Sequence, residues 1–302
     1  MVMLPYLTLM RPLNSLMSAI AVFVGGFVAL GLDLSYFFGF APLYLAMVIV
    51  FLITGAGNAI NDVIDVDSDK INRPGRPIPS GKVSKRKALG FSIFLFAAGI
   101  VLSGFLNWIC FFIAIFNSVL LVLYSSVLQD KLFLGNISVS YLVGSTFLFG
   151  GAAVLDLKLP LLLMLLASLA NLSREIVKDL EDIEGDRLGL LKKLASDIKT
   201  SVASRFGMDS SGKLKIKYGK QAMVNAAIAS LTCAILVSPM PFILGILGWL
   251  YLVLVVPVDI IFLLCIFFMA KAKGKKQFSR ISKLIKIGMF LGLIAFVAGV
   301  LL

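Results

Sequence analysis

Residues 41–69 read APLYLAMVIVFLITGAGNAINDVIDVDSD. From Ala41 to Ile60 there is no charged residue, and about 20 mostly apolar residues suffice for a helix to cross the hydrocarbon core of a bilayer. The character then changes: Asn58, Asn61, Asp62, Asp65, Asp67 and Asp69 crowd the end of the run. One element thus joins a membrane span to a cluster of oxygen ligands.

The whole chain shares the apolar half of that pattern. Of its 302 residues 60% are hydrophobic and 15% charged, with a mean hydropathy of +1.01. A soluble domain averages about 45–50% apolar and 25% charged residues. Apolar runs predict nine helices, over about 13–31, 41–62, 87–106, 108–125, 135–154, 159–179, 219–237, 241–270 and 284–302. The expected fold class is all-α, a polytopic transmembrane bundle, read as one domain over 1–302 with cytoplasmic loops at about 63–87 and 180–218. The run from Leu13 to Leu30 follows a lone Arg11 and precedes no clear small-residue cleavage site, so it reads as a first span rather than a signal peptide.

The net charge is +12, yet nucleic acid is not the expected partner. The basic residues sit in short segments between apolar runs, which is how a membrane protein marks its cytoplasmic side. With nine spans, 27 of the 28 Lys and Arg fall on one face and only Lys158 on the other. The expectation is a cell-membrane protein with its N-terminus cytoplasmic and its C-terminus external. Histidine is absent, and Cys110, Cys233 and Cys265 stand singly in apolar runs. A disulfide framework, a zinc site and histidine base catalysis are therefore not expected.

Acidic residues are scarce, so their placement is informative. Four of the sixteen fall in 62–69 and six in 175–186, each group at the cytoplasmic end of a predicted span. Asn61, Asp65 and Asp69 are spaced i, i+4, i+8, one stripe if the helix continues. Asp179, Asp182 and Asp186 are spaced i, i+3, i+7, again one stripe. Two facing carboxylate stripes repel unless a cation lies between them. Oxygen ligands without His or Cys select Mg²⁺, Mn²⁺ or Ca²⁺, and Mg²⁺ is usually completed by water and substrate phosphates. The pair of stripes therefore points to a diphosphate held through metal, whereas either alone reads as a solvated helix end.

Cations lie nearby. The turn-rich stretch Arg73-Pro74-Gly75-Arg76-Pro77-Ile78-Pro79-Ser80-Gly81 follows the first stripe and suits bringing Arg73 or Arg76 over a phosphate; the plainer reading is a basic loop on lipid headgroups. Arg11 and Asn14 open the first span, Tyr124 ends the fourth with Lys131 beyond it, and Arg174 and Lys178 precede the second stripe. Asp259 is the one acid deep in a span, beside Pro257; it reads equally as a cavity group or as a protonated structural acid. The segment 188–202 has the spacing of an amphipathic surface helix or of a solvated loop helix.

At these residues the sequence resembles the UbiA superfamily of intramembrane prenyltransferases, over nearly the whole chain. The family's N-D-x-x-D-x-x-x-D matches Asn61, Asp62, Asp65 and Asp69, and its second D-x-x-x-D matches Asp182 and Asp186. The family's Tyr and Lys after helix four resemble Tyr124 and Lys131, at longer spacing. Within the family, residues 69–81 are similar to archaeal digeranylgeranylglyceryl phosphate synthases, with the Arg-Pro-Ile-Pro-Ser-Gly end shared by chlorophyll synthases.

The resemblance implies a bundle around a central cavity open to the cytoplasmic side and to lipid. It implies Mg²⁺-dependent transfer of a geranylgeranyl group from its diphosphate to geranylgeranylglyceryl phosphate. Asn61, Asp65, Asp182 and Asp186 are then the expected metal ligands, with Asp62, Asp69 and Asp179 completing or orienting them. Arg11, Asn14, Arg73, Arg76, Tyr124, Lys131, Arg174 and Lys178 are the expected substrate contacts. The expected partners are a prenyl diphosphate, a lipid-phosphate acceptor and membrane lipid. Phe-rich stretches at 105–116 and 262–268 either line a prenyl tunnel or meet lipid and neighbouring helices. An aromatic or chlorophyllide-like acceptor is the alternative within the family. A divalent-cation or phospholipid transporter is the alternative outside it, and it would spread polar groups through the membrane depth.

Overall fold

The computed structural model describes residues 3–31, 41–129, 131–197 and 210–301, without the side chains of residues 3, 132, 185–197 and 210–219. Every regular element among the described residues is helical. A short α1 (Met3–Met10) precedes α2 (Pro12–Leu30), α3 (Ala41–Ile64), α4 (Val66–Asn72), α5 (Lys85–Gly104) and α6 (Trp108–Leu123). Then follow α7 (Leu132–Ala153), α8 (Lys158–Asp197), α9 (Ser210–Val237), α10 (Met240–Ile243), α11 (Trp249–Lys271) and α12 (Lys275–Leu301). Among the described residues nine helices are long and apolar enough to cross a bilayer, as expected from the apolar runs.

Local sequence explains where the spans begin. The Ser84 hydroxyl and the Asn107 carboxamide oxygen accept from the backbone N–H of Lys87 and Cys110, capping α5 and α6. Pro12 opens α2, where its missing N–H costs nothing. Arg11, just before it, takes a left-handed backbone (φ 48°) that separates α1 from α2.

Four boundaries differ from expectation, the first being the start of α9, which lies at Ser210 and not at 219. The sixth span does not stop near 179 but continues as α8 to Asp197, because the polar residues after Ile183 include no helix breaker strong enough to end it. The last helix begins at Lys275, not 284; its basic first turns leave the apolar run but keep the helix. The predicted span 241–270 splits, since a left-handed Gly245 and Gly248 separate the short α10, which contains Pro241, from α11. Pro257 lies within a continuous α11.

α2, α7 and α8 form the middle of the bundle, with α3, α5 and α6 on one side and α9, α11 and α12 on the other. α12 also packs on α8 and touches α2, bringing the first and last spans together. α2 and α7 cross at glycines: a Cβ on Gly150 would lie 2.0 Å from the Val22 carbonyl oxygen, and one on Gly25 would lie 2.1 Å from that of Phe147. Small residues allow this backbone approach, which matters in lipid because contact area rather than hydrophobicity holds helices together.

The outward faces suit lipid. Trp108 and Trp249 are 76% and 70% exposed, each at the first turn of a span that starts on the Lys/Arg-poor side, where amphipathic rings anchor at the interface. Phe105, Phe112, Phe116, Phe267 and Phe268 are also exposed. Of the two alternatives for the Phe-rich stretches, these rings follow the lipid-facing one, and Phe262 alone of that group is buried.

Candidate active site

Two linked clusters stand at the end of the bundle where α3 and the apolar part of α8 finish. The first is an ion-paired clasp. Arg11 Nη2 donates to Asp62 Oδ1 at 2.6 Å, and Arg76 Nη1 donates to the same oxygen at 3.1 Å and to Asp69 Oδ2. Both carboxylates are buried. The clasp ties the turn before α2, the end of α3, α4 and the 73–84 loop into one unit. Next to it the Asn58 carboxamide nitrogen donates to the Met10 carbonyl at 2.9 Å.

This differs from the three-membered stripe expected at Asn61, Asp65 and Asp69. The helix breaks at Asp65 (φ −79°, ψ 7°) between α3 and α4. Asp69 is thereby turned onto Arg76, and Arg76 is held inside the clasp. Asp67 faces solvent, where a hydrogen bond from Lys70 at 2.9 Å lowers its pKa below the usual carboxylate value.

The second cluster has carboxylates without cations. Asp65 Oδ2 accepts from Asn61 Nδ2 at 2.7 Å, and its Oδ1 accepts from Gln129 Nε2 at 3.1 Å. The Ser125 hydroxyl donates to Asn61 Oδ1 at 3.4 Å. Across the site, Asp179 Oδ2 accepts from Asn136 Nδ2 at 2.7 Å. Asp182 is exposed. Among the described residues no ion pair reaches Asp65, Asp179 or Asp182.

The two acidic helix ends share one region. The phenol of Tyr124 lies within the electrostatic reach of Glu175 and Asp179 on α8 and of Asp65 beside α3. No extensive packing joins α3 to α8 among the described residues; the α6–α7 connection fills the gap between them. Tyr124–Leu128 there forms a π-helical turn, an irregularity that often marks functional positions. Gln129 and Asn136 follow, one amide for each stripe. Ser125, Gln129 and Asn136 lie outside both acidic stripes, so no spacing pattern singles them out. Their signal was position: carboxamides flanking Lys131 at the level of the acids.

Asp186 lies on the backbone run of α8, but its side chain is outside the described residues, as are those of 188–202. Among the described residues no three acids stand close enough to hold a metal by themselves. Glu175 takes the charges of Arg174 and of Lys178, the latter at 3.1 Å. Lys131 and Arg73 are exposed and without an ion pair among the described residues. Lys220 on α9 is paired with Glu184 on α8 and lies 5.4 Å from the Phe278 ring of α12.

Below the acids lies a cavity of about 310 Å³. Asn14, Asn58 and Tyr124 line its upper part; Thr54, Asn117 and Ser145 line it deeper, among apolar residues such as Ile53, Leu142 and Phe149. A second hollow of about 200 Å³, almost wholly apolar, lies between α7, α8, α9, α11 and α12 and holds Asp259. Ser238 Oγ lies 2.7 Å from Asp259 Oδ2 and 2.9 Å from the Ile235 carbonyl. The hydroxyl has one proton for two acceptors, and Asp259 Oδ1 is buried without a partner among the described residues. Tyr251 donates to the Ser238 carbonyl at 2.6 Å. Asp259 is thus both a cavity-lining group and a member of a helix-to-helix network, so neither reading of it is set aside.

Residues 18–294 match the UbiA prenyltransferase family. The digeranylgeranylglyceryl phosphate synthase of Methanococcus aeolicus is 41% identical over 298 residues, covering 98% of each chain. That of Methanococcoides burtonii is 43% identical over 305 residues, covering 97% of this chain and 99% of its own. A solved structure concerning digeranylgeranylglyceryl phosphate synthase in membranes superposes with a TM-score of 0.82 at 34% identity, covering 99% of both chains. A UbiA homolog from Archaeoglobus fulgidus bound to GPP and Mg²⁺ shares the fold, with a TM-score of 0.61 at 15% identity over 97% of this chain and 99% of its own. The chain is a multi-pass membrane protein and belongs to the UbiA prenyltransferase family, the family that its sequence resembles.

Proposed function

We propose that this enzyme transfers a geranylgeranyl group from geranylgeranyl diphosphate to geranylgeranylglyceryl phosphate, making the core of an archaeal ether lipid and releasing diphosphate. The observation that carries the reading is the 41% identity, over nearly the full length of both chains, to a synthase of that name. The mouth of the cavity faces the cytoplasm on the distribution of Lys and Arg, with the N-terminus on the same side.

The donor set fits magnesium. Every candidate ligand offers oxygen, histidine is absent from the chain, and Asp65, Asp179 and Asp182 make no ion pair among the described residues. Mg²⁺ binds through one or two carboxylates together with water and substrate phosphates, so a site without three converging acids still suits it. Asn61, Asp65, Asp182 and Asp186 would hold it, with Asp179 beside them. When bound, it neutralises negative charge on the departing diphosphate.

The protein's own groups do the rest. Lys131 and Arg73 are cations left over for phosphate, one at the second helix pair and one on the clasped loop. The clasp of Arg11, Asp62, Arg76 and Asp69 fixes that loop over the mouth. Gln129 and Asn136 orient Asp65 and Asp179. The apolar walls below exclude water from C1 of the prenyl chain while its bond to diphosphate breaks and the acceptor hydroxyl forms the new ether; the hydroxyl proton and diphosphate leave.

Purified protein given Mg²⁺, radiolabelled geranylgeranyl diphosphate and a panel of acceptors tests this directly. Product with the glycerol-phosphate ether and none with 4-hydroxybenzoate is expected; the reverse pattern rejects the assignment. Asp65→Ala and Asp182→Ala each lower turnover by at least about 10²–10³-fold, and near-normal turnover in either removes the metal assignment.

A further inference from the structure

The central cavity holds polar groups at a depth where a prenyl chain offers them nothing. Thr54 lies seven residues below Asn61 on α3, and Asn117 seven residues before Tyr124, in α6. At 1.5 Å per residue both sit about 10 Å beneath the acidic mouth. Intramembrane polar side chains are costly and usually face a cavity or one another. Asn117 partly obeys the second rule: its Nδ2 donates to Ser145 Oγ at 3.0 Å, and that hydroxyl donates to the Leu142 carbonyl at 2.9 Å. Helix-to-helix bonding accounts for that much and no more. Asn117 Oδ1 is buried with no partner among the described residues. The Thr54 hydroxyl, on the cavity wall, makes no hydrogen bond among the described residues, not even to its own helix.

The two groups have opposite polarity. The amide nitrogen of Asn117 is committed to Ser145, so the carboxamide presents an acceptor. Thr54 has a proton to donate. The donor substrate of the proposed reaction has no heteroatom beyond C1, and its diphosphate stays at the mouth. The acceptor has two oxygens besides its phosphate: an ether oxygen, which only accepts, and a free hydroxyl, which must donate to lie still.

We propose that Thr54 and Asn117 form an uncharged shelf that recognises the glyceryl ether acceptor. Thr54 donates to the ether oxygen, and Asn117 Oδ1 accepts from the hydroxyl that attacks. Ser145 is the positioning residue that keeps the Asn117 carboxamide in this orientation. The assignment rests on the proposed acceptor class.

The test compares two acceptors, the glyceryl ether phosphate and its analogue with the ether oxygen replaced by CH₂, at saturating geranylgeranyl diphosphate. Wild-type enzyme should prefer the ether about tenfold in kcat/KM. Thr54→Val should abolish that preference with the KM for geranylgeranyl diphosphate unchanged, and Thr54→Ser should retain it. Asn117→Leu should raise the KM for both acceptors about tenfold or more, again without touching the donor KM. A wild-type enzyme blind to the ether oxygen, or a Thr54→Val variant equally impaired on both acceptors with the preference intact, overturns the shelf. Wild-type transfer to neither acceptor rejects the proposed reaction itself, and the shelf with it.

Discussion

Asp62→Ala separates a structural clasp from a metal ligand. Asp62 is a member of the acidic motif, yet its carboxylate faces two guanidinium groups, at 2.6 and 3.1 Å. Removing one member of a buried ion pair costs about 3–5 kcal/mol, because the partner charge stays behind. Here the Asp62 side chain is 4% exposed, but Arg11 retains 32% and Arg76 18% exposure, and Asp69 keeps its hold on Arg76. Water can therefore repay part of the loss, which brings the cost to about 2–3 kcal/mol. At about 2–4 °C per kcal/mol for a chain of this size class, the melting temperature should fall by about 5–10 °C. Thermal unfolding in detergent reads this, with Asp67→Ala as control: its pair with Lys70 is exposed on both sides, and its loss should move the midpoint by no more than about 2 °C. The Mg²⁺ concentration for half-maximal activity should stay within about threefold of wild type in Asp62→Ala. An unchanged melting temperature together with a tenfold higher Mg²⁺ requirement would refute the clasp and return Asp62 to the metal.

Asn136→Leu removes the one hydrogen-bond donor on Asp179 Oδ2; partners of this kind are worth about 10–100-fold in metal affinity or activity, so the Mg²⁺ requirement should rise at least about tenfold, and an unchanged requirement would detach Asn136 from the site. Gly150→Ala pushes a methyl group to within 2.0 Å of the Val22 carbonyl oxygen, a backbone atom that cannot swing aside. Forced separation of α2 and α7 should cost about 1–3 kcal/mol, seen as a lower melting temperature, whereas Gly90→Ala, which meets nothing within 4 Å, should be neutral or slightly stabilising.

The membrane spans were legible because the bilayer imposes a length: a helix that crosses it needs about 20 mostly apolar residues, and nine helices among the described residues meet that need. Where helices outlast the membrane, that signal goes silent. The basic start of α12 and the polar continuation of α8 beyond Glu184 carry no apolar run, so a reading by hydropathy stops short of both. The acids of the site were legible as residues but not as partners. Arg11 and Asp62 are 51 positions apart, and only the fold brings them together. Asp69 leaves its stripe because of a local backbone change at Asp65 that no spacing rule encodes. Gln129 and Asn136 were invisible for a different reason: neither belongs to an acidic stripe, and the role of each as an orienting donor exists only once the carboxylate it faces is in place.

The central claim is that acids from two separate spans serve one metal-bound diphosphate. Crystals grown with Mn²⁺ and a geranylgeranyl thiodiphosphate that resists cleavage would test it through manganese anomalous scattering. The account predicts anomalous peaks between Asp65 at the end of α3 and Asp182 on α8, with diphosphate oxygens completing the coordination. Manganese bound to one helix alone, or a diphosphate seated away from both, would contradict it.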